Sequence, residues 1–269
     1  MGGLVFLFSF VISLLFITDK TPILILAVVV TLCYALLGFI DDFRKVVRKT
    51  SLGLRAREKL IGQFVFSVLF CVILLYYGHS TAVSIPFTSL QVDFGWTYPI
   101  LVMIMIAGFS NAVNLTDGVD GLAGGTSIIA FGALLLLASS QGFSDMAGFC
   151  GALCGAVLGF LIFNLHPAKV FMGDVGSLAL GAALAAAAIL IKAEFYLIII
   201  GGVFVLETLS VMLQVAFFKL TGKRILLMSP LHHHYEKKGW SEWKVASGFW
   251  ALGLVLALIG VFAFSRLIN

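Results

Sequence analysis

Nine long apolar runs separated by polar stretches set the pattern of this chain: residues 3–17, 22–40, 60–77, 97–113, 122–140, 147–163, 175–191, 195–217 and 244–265. Most approach the roughly 20 apolar residues that a helix needs to cross the hydrocarbon of a bilayer. The run 3–17 is short, but it lacks the basic start and the cleavage site of a signal peptide and reads as a membrane helix. Backbone groups in lipid must bond within their own segment, so the runs predict helices. The fold class is therefore an all-α polytopic membrane protein with about nine transmembrane helices, a single domain over 1–269. Small residues in 175–191, including Ala185 to Ala188, predict close helix packing. The stretch 78–96, with Pro86, Gly95 and several β-branched residues, predicts a small hairpin instead.

Composition strengthens this picture. Hydrophobic residues make up 61% of the chain and charged residues 11%, against about 25% charged in soluble domains, and the mean hydropathy is +1.12. No nucleic-acid partner is expected. The four cysteines lie inside apolar runs and predict neither a disulfide framework nor a zinc site.

Charge distribution says more than net charge. All of the 17 basic residues except Lys20, Lys192 and Arg266 fall in the connections 41–59, 164–174 and 218–244. Strict alternation of helices puts these three connections on one side, and the positive-inside rule makes that side cytoplasmic. The carboxylates sort the same way. Asp41 and Asp42 begin the first of these connections, Asp117 and Asp120 lie in Asn111-Ala-Val-Asn-Leu-Thr-Asp-Gly-Val-Asp-Gly121, and Asp174 lies in Phe171-Met-Gly-Asp-Val-Gly-Ser177. Acids at the membrane edge are expensive and commonly functional. Each also has a plain structural reading: a solvated loop start for Asp41 and Asp42, helix caps for the others. The paired Asp41 and Asp42 repel each other, which a cation would relieve, and an oxygen-only ligand set suits Mg²⁺ with phosphate. The run Pro230-Leu-His-His-His-Tyr-Glu236 adds His232, His233 and His234 on the same face. Adjacent histidines cannot all reach one zinc ion from a helix or strand, so contacts to phosphate are preferred, with a solvated loop as the plain alternative.

Together, Gly38-Phe-Ile-Asp-Asp42, the 111–123 stretch, Phe171 to Ser177 and Pro230 to Glu236 resemble the motifs of the phospho-N-acetylmuramoyl-pentapeptide transferase family, in the superfamily of polyprenyl-phosphate N-acetylhexosamine-1-phosphate transferases. The resemblance runs over essentially the whole chain. It implies a bacterial inner-membrane enzyme that transfers the phosphosugar of UDP-N-acetylmuramoyl-pentapeptide to undecaprenyl phosphate, giving lipid I and UMP with Mg²⁺ as cofactor, and it implies a homodimer. By resemblance Asp174 is the best metal ligand, with Asn114 and Asp117 beside it. Asp41 or Asp42 is the base toward the lipid phosphate, and a scheme with a covalent aspartate intermediate stays open. Asn111, Asn114, Asp117, Asp120, Asn164, Phe171, Gly173, His232, His233 and His234 are expected to bind substrate. Arg55, Arg57 and Lys59 either attract anionic substrates or anchor the positive side.

The family has ten membrane helices. Met1-Gly-Gly3 resembles the end of a longer motif, so the expectation is an N-terminally truncated chain. Its first helix and a loop with functional Lys and Thr residues would lie upstream, and the chain alone would be weakly active or inactive. Three alternatives are carried: a related UDP-N-acetylglucosamine:polyprenyl-phosphate transferase, an inactive scaffold, and a transporter. The transporter is disfavoured because the acids sit at helix ends rather than at the midplane of an internal repeat, Glu207 aside.

Overall fold

The computed structural model describes residues 1–17, 20–49 and 53–268; part of the connection 41–59, at 50–52, lies outside them. The apolar runs are helices: α1 (Gly3–Ile17), α2 (Pro22–Arg48), α3 (Ala56–Tyr76), α4 (Tyr98–Thr116), α5 (Leu122–Ser140), α6 (Ser144–Asn164) and α7 (Gly173–Leu190). Then follow α8 (Glu194–Ile200), α9 (Gly202–Thr221), α10 (Leu231–Lys237) and α11 (Glu242–Ile268). Among the described residues, 8 helices are long and apolar enough to cross a membrane, with α1 as a shorter apolar helix. The stretch after α3 forms the expected hairpin, β1 (Ala82–Ser84) against β2 (Gln91–Asp93), antiparallel with Val83 opposite Val92.

The bundle is organised around α7. Every residue from Val175 to Leu190 is buried, and α1, α2, α4, α5 and α8 pack on it. Its alanines and glycines make this possible by letting neighbouring backbones come close. Gly38 of α2 does the same from its side: a Cβ there would collide with the Asp174 carbonyl. Ser110 of α4 donates to the Leu178 carbonyl at 3.1 Å, a cross-helix bond that replaces lost water. The outer helices instead turn Ile61, Val72, Ile162 and Met212 outward, as lipid contact requires.

Two boundaries depart from the hydropathy pattern. The 195–217 run is not one helix but two, broken at Gly201. The adjacent Gly201 and Gly202 weaken the helix, and α8 with 7 residues spans only about 10 Å. Glu207 lies six residues past the break and does not cause it. The second departure is α2, which runs on to Arg48. Asp41 and Asp42 therefore sit within a helix rather than opening a loop. At 27 residues α2 is about 40 Å long, more than the roughly 30 Å of hydrocarbon, so its last turns extend past the apolar layer.

Candidate active site

The N-terminal end of α7 meets the ends of α2, α4 and α6. A cavity of about 350 Å³ opens there, lined by Asp42, Lys45, Asn114, Asp117, Asp120, Asn164, Phe171, Gly173 and Asp174. Asp174 sits in the first turn of α7, which Gly173 opens at φ 72, a backbone conformation that suits glycine. A carboxylate is favoured at a helix N-terminus. Asn114 donates to Asp174 at 2.9 Å and to Ser177 Oγ at 2.9 Å, and so joins α4 to α7. Lys59 Nζ lies 3.0 Å and Lys45 Nζ 3.2 Å from Asp174 Oδ2.

Lys45 also pairs with Asp41 at 2.5 Å and reaches within 3.7 Å of Asp42. Asp41 is buried and turned toward the chain after α2, where Leu54 N–H donates to it at 2.7 Å. Asp42 accepts from Val175 N–H at 3.3 Å and faces the cavity. The two adjacent acids thus have different surroundings. Oxygen atoms of Asp41, Asp42 and Asp174 lie within 4.8 Å of one another. An all-oxygen cluster of this kind fits a hard divalent cation. Asn114, expected beside the metal, is close, but its amide nitrogen is the atom turned to Asp174.

Asp117, which caps the C-terminal end of α4, shows the charge balance of the cavity. Burial pushes its carboxyl well above the usual range, and the carboxylates of Asp174, Asp42 and Asp120 add repulsion. Negative charge is in excess here.

Asp120 stands at the rim. Its Oδ2 accepts from Ala168 N–H at 2.9 Å and lies 3.2 Å from His166 Nδ1, while Glu242 Oε2 lies 3.3 Å from the same nitrogen. Asn164 lines the cavity, but its amide is occupied: it accepts from Gly121 N–H at 3.2 Å and donates to the Val170 carbonyl at 3.0 Å. It ties together the two loops that build the rim.

Not every expected residue reaches the cavity. Asn111, one turn before Asn114, pairs with Gln63 of α3 at 2.8 Å and bonds the Ala107 carbonyl. The three histidines lie on α10 and diverge. His232 is fully buried beside Glu207, His233 pairs with Glu236 at 2.5 Å, and His234 Nδ1 accepts from Leu227 N–H at 3.1 Å. His232 and His233 nevertheless approach Gly118 of the rim. Lys45, Gln63, Ser177 and Glu242 belong to these networks without having been singled out. Lys45 alone had a readable signal, its place three and four residues after Asp42 and Asp41 on a helix face.

Comparison with known proteins gives a consistent result. Residues 23–192 match the model of glycosyl transferase family 4. The chain is 58% identical to a phospho-N-acetylmuramoyl-pentapeptide-transferase of Shouchella clausii over 97% of this chain and 82% of the relative. Proteins of the same name from Bacillus subtilis and Halalkalibacterium halodurans are 56% and 57% identical, with the same coverage.

Proposed function

The chain belongs to glycosyl transferase family 4 and, within it, to the phospho-N-acetylmuramoyl-pentapeptide-transferases, and on that premise we propose that it transfers phospho-N-acetylmuramoyl-pentapeptide from its UDP-linked donor to undecaprenyl phosphate. The products are lipid I and UMP, a membrane step of peptidoglycan synthesis. One observation carries the reading at the level of chemistry: a cavity with more carboxylates than lysines, at the helix ends next to the charged connections. Such a site holds a cation, and the cation with the two lysines holds diphosphate.

Asp174 would hold Mg²⁺, with Asp41 and Asp42 close by and Asn114 and Asp117 flanking. The ion supplies charge neutralisation on the phosphate oxygens of donor and leaving group. Asp42, facing the cavity, accepts the residual proton of the lipid phosphate. A phosphate oxygen then forms a bond to the β-phosphorus of the donor. The bond from that phosphorus to the bridging oxygen breaks, and UMP departs with the electron pair. Asp41, buried against Leu54 and Lys45, orients Lys45 rather than the lipid. Phe171, which lines the cavity with its side chain 67% exposed, offers a ring for the base of the nucleotide.

The prenyl chain has a path of its own. An apolar groove of about 230 Å³ lies between α4 and the α8–α9 pair, lined by Leu101, Ile104, Phe109, Ile198 and Leu209. It follows α4, whose last turn carries Asn114. The polar end of the bundle gathers nearly all Lys and Arg of the connections, which supports a cytoplasmic active site.

The test is UMP release by the chain in lipid or detergent, with undecaprenyl phosphate and Mg²⁺. UDP-N-acetylmuramoyl-pentapeptide should support it and UDP-N-acetylglucosamine should not. Release with the second donor alone moves the chain to the other branch, and none with either donor, from this chain and from a version extended at its N-terminus, overturns the reading. Direct attack also requires that no UMP appear without undecaprenyl phosphate; a stoichiometric burst would mean a covalent aspartyl intermediate.

A further inference from the structure

Glu207 sits in the first half of α9 with no exposed surface, and the reaction above gives it no task. A carboxylate buried without a partner costs several kcal/mol, so what it touches matters. Its partner comes from α10. Oε1 accepts the backbone N–H of His232 at 3.2 Å, and Oε2 lies 3.2 Å from His232 Nδ1. The second contact is at hydrogen-bond distance without alignment: Oε2 and both ring nitrogens of His232 lack a hydrogen-bond partner.

The other edge of the imidazole points to the cavity rim. A Cβ on Gly118 would lie 2.5 Å from His232 Nε2, so only glycine leaves room for the ring. Gly118 lines the cavity between Asp117 and Asp120. The His233 ring packs on His232 with centroids 4.2 Å apart and prevents a free swing. His232 is thus fully buried, with a carboxylate oxygen 3.2 Å from its Nδ1 and an unpartnered Nε2 against Gly118 of the rim.

We propose that Glu207 is a positioning residue for His232: its carboxylate fixes the Nδ1 edge of the ring, so that Nδ1 carries a proton and Nε2 is presented across Gly118 to the substrate phosphates. This deepens the reading of the phosphosugar reaction and rests on it. A carboxylate on one ring nitrogen decides which nitrogen is left for the ligand. Without it, the proton is free to reside on Nε2 with Nδ1 bare, and the ring loses one of its anchors. The same pair explains why an acid persists inside an apolar helix: α9 is joined to the histidine helix through it.

Ring-nitrogen NMR of the ¹⁵N-histidine-labelled chain tests this without turnover. His232 is identified by its loss in His232→Gln. Wild type should show a protonated Nδ1 on His232, and Glu207→Gln should shift the population toward the Nε2–H form. A neutral Nε2–H ring in wild type overturns the proposal whether or not UMP release is observed. The kinetic arm applies once UMP release by wild type has been seen. Glu207→Gln should lower kcat by roughly tenfold to a hundredfold, as for carboxylates that orient histidines in metal sites, with KM for the donor almost unchanged. Glu207→Gln combined with His232→Gln should be no slower than His232→Gln alone, because Glu207 acts through that ring. Fully additive losses would make Glu207 a support of the fold only and sink the idea.

Discussion

The two ends of α7 both bury a carboxylate against a lysine, yet they differ in kind. Past its C-terminal end, Glu194 is fully buried, accepts from Tyr98 Oη at 2.8 Å and pairs with Lys192 at 2.8 Å. Lys192 in turn donates to the Ser80 carbonyl beside the hairpin and lies over the Tyr98 ring. One acid meets one base, and the group staples the hairpin to the bundle. At the N-terminal end, Asp41, Asp42 and Asp174 share Lys45, Lys59 adds to Asp174, and Asp117 lines the same open cavity. Balanced charge closes a structure on itself, whereas surplus charge beside open space waits for a ligand. Burial of an acid is common to both ends and by itself distinguishes neither.

Substitutions at the two ends should therefore separate activity from stability. The largest effect is expected for Asp174→Asn, which should cut UMP release by about a hundredfold or more, the scale of losing a main electrostatic contact in a transition state. Turnover within about threefold of wild type would erase the contrast. At the other end, Glu194→Gln should cost roughly 1–3 kcal/mol of stability by unpairing a buried group, while UMP release per folded molecule stays near wild type; a loss of turnover without loss of stability would make that end functional too. Asp117→Asn should go the opposite way from Glu194→Gln. Removing a carboxyl that is both desolvated and repelled should raise the thermal midpoint without Mg²⁺ by about 2–4 °C, and shrink the stabilisation that Mg²⁺ confers on the chain. A lower midpoint would mean that the acids are not in surplus.

The smallest effect concerns His79, on the hairpin side. Burial, with the Lys192 ammonium adding to it, pushes its imidazole down to about 4. The unfolded chain takes up this proton near pH 6.5, so stability from this group is present above that pH. It is lost as pH falls from about 6.5 toward 4. His79→Gln should flatten that fall, read as the difference in thermal midpoint between the two proteins across the range; parallel curves would show that His79 is not desolvated. No such dependence is expected for turnover.

Much of this was legible in the chain itself, for identifiable reasons. Hydropathy located the membrane helices because lipid enforces long apolar runs, and Pro86 and Gly95 signalled the hairpin found at 82–93. It missed the break at Gly201, since apolar residues continue on both sides of it. It ended α2 at the first charges, whereas the helix continues because Lys45, Leu54 and Val175 satisfy Asp41 and Asp42. The candidate site was legible as polar clusters at helix ends, and its acids do converge. Asn111 has the same sequence signal as Asn114 but faces Gln63, a distinction that depends only on helix rotation.

The sequence by itself determined the medium, the helical class, the polar end of the bundle and the reaction family, because each depends on residue type and spacing along one chain. Only the tertiary structure decided which acid faces the cavity, which lysines it shares and why Glu207 tolerates burial. Lys45 and Asp174 are 129 residues apart, and Glu207 and His232 are 25. Their electrostatic coupling falls with distance in space, not along the chain, and exists only once α7 has drawn α2 and α4 around it. The polar end first seen in the hydropathy pattern thus becomes a site through packing around α7, the most buried of the membrane-length helices among the described residues.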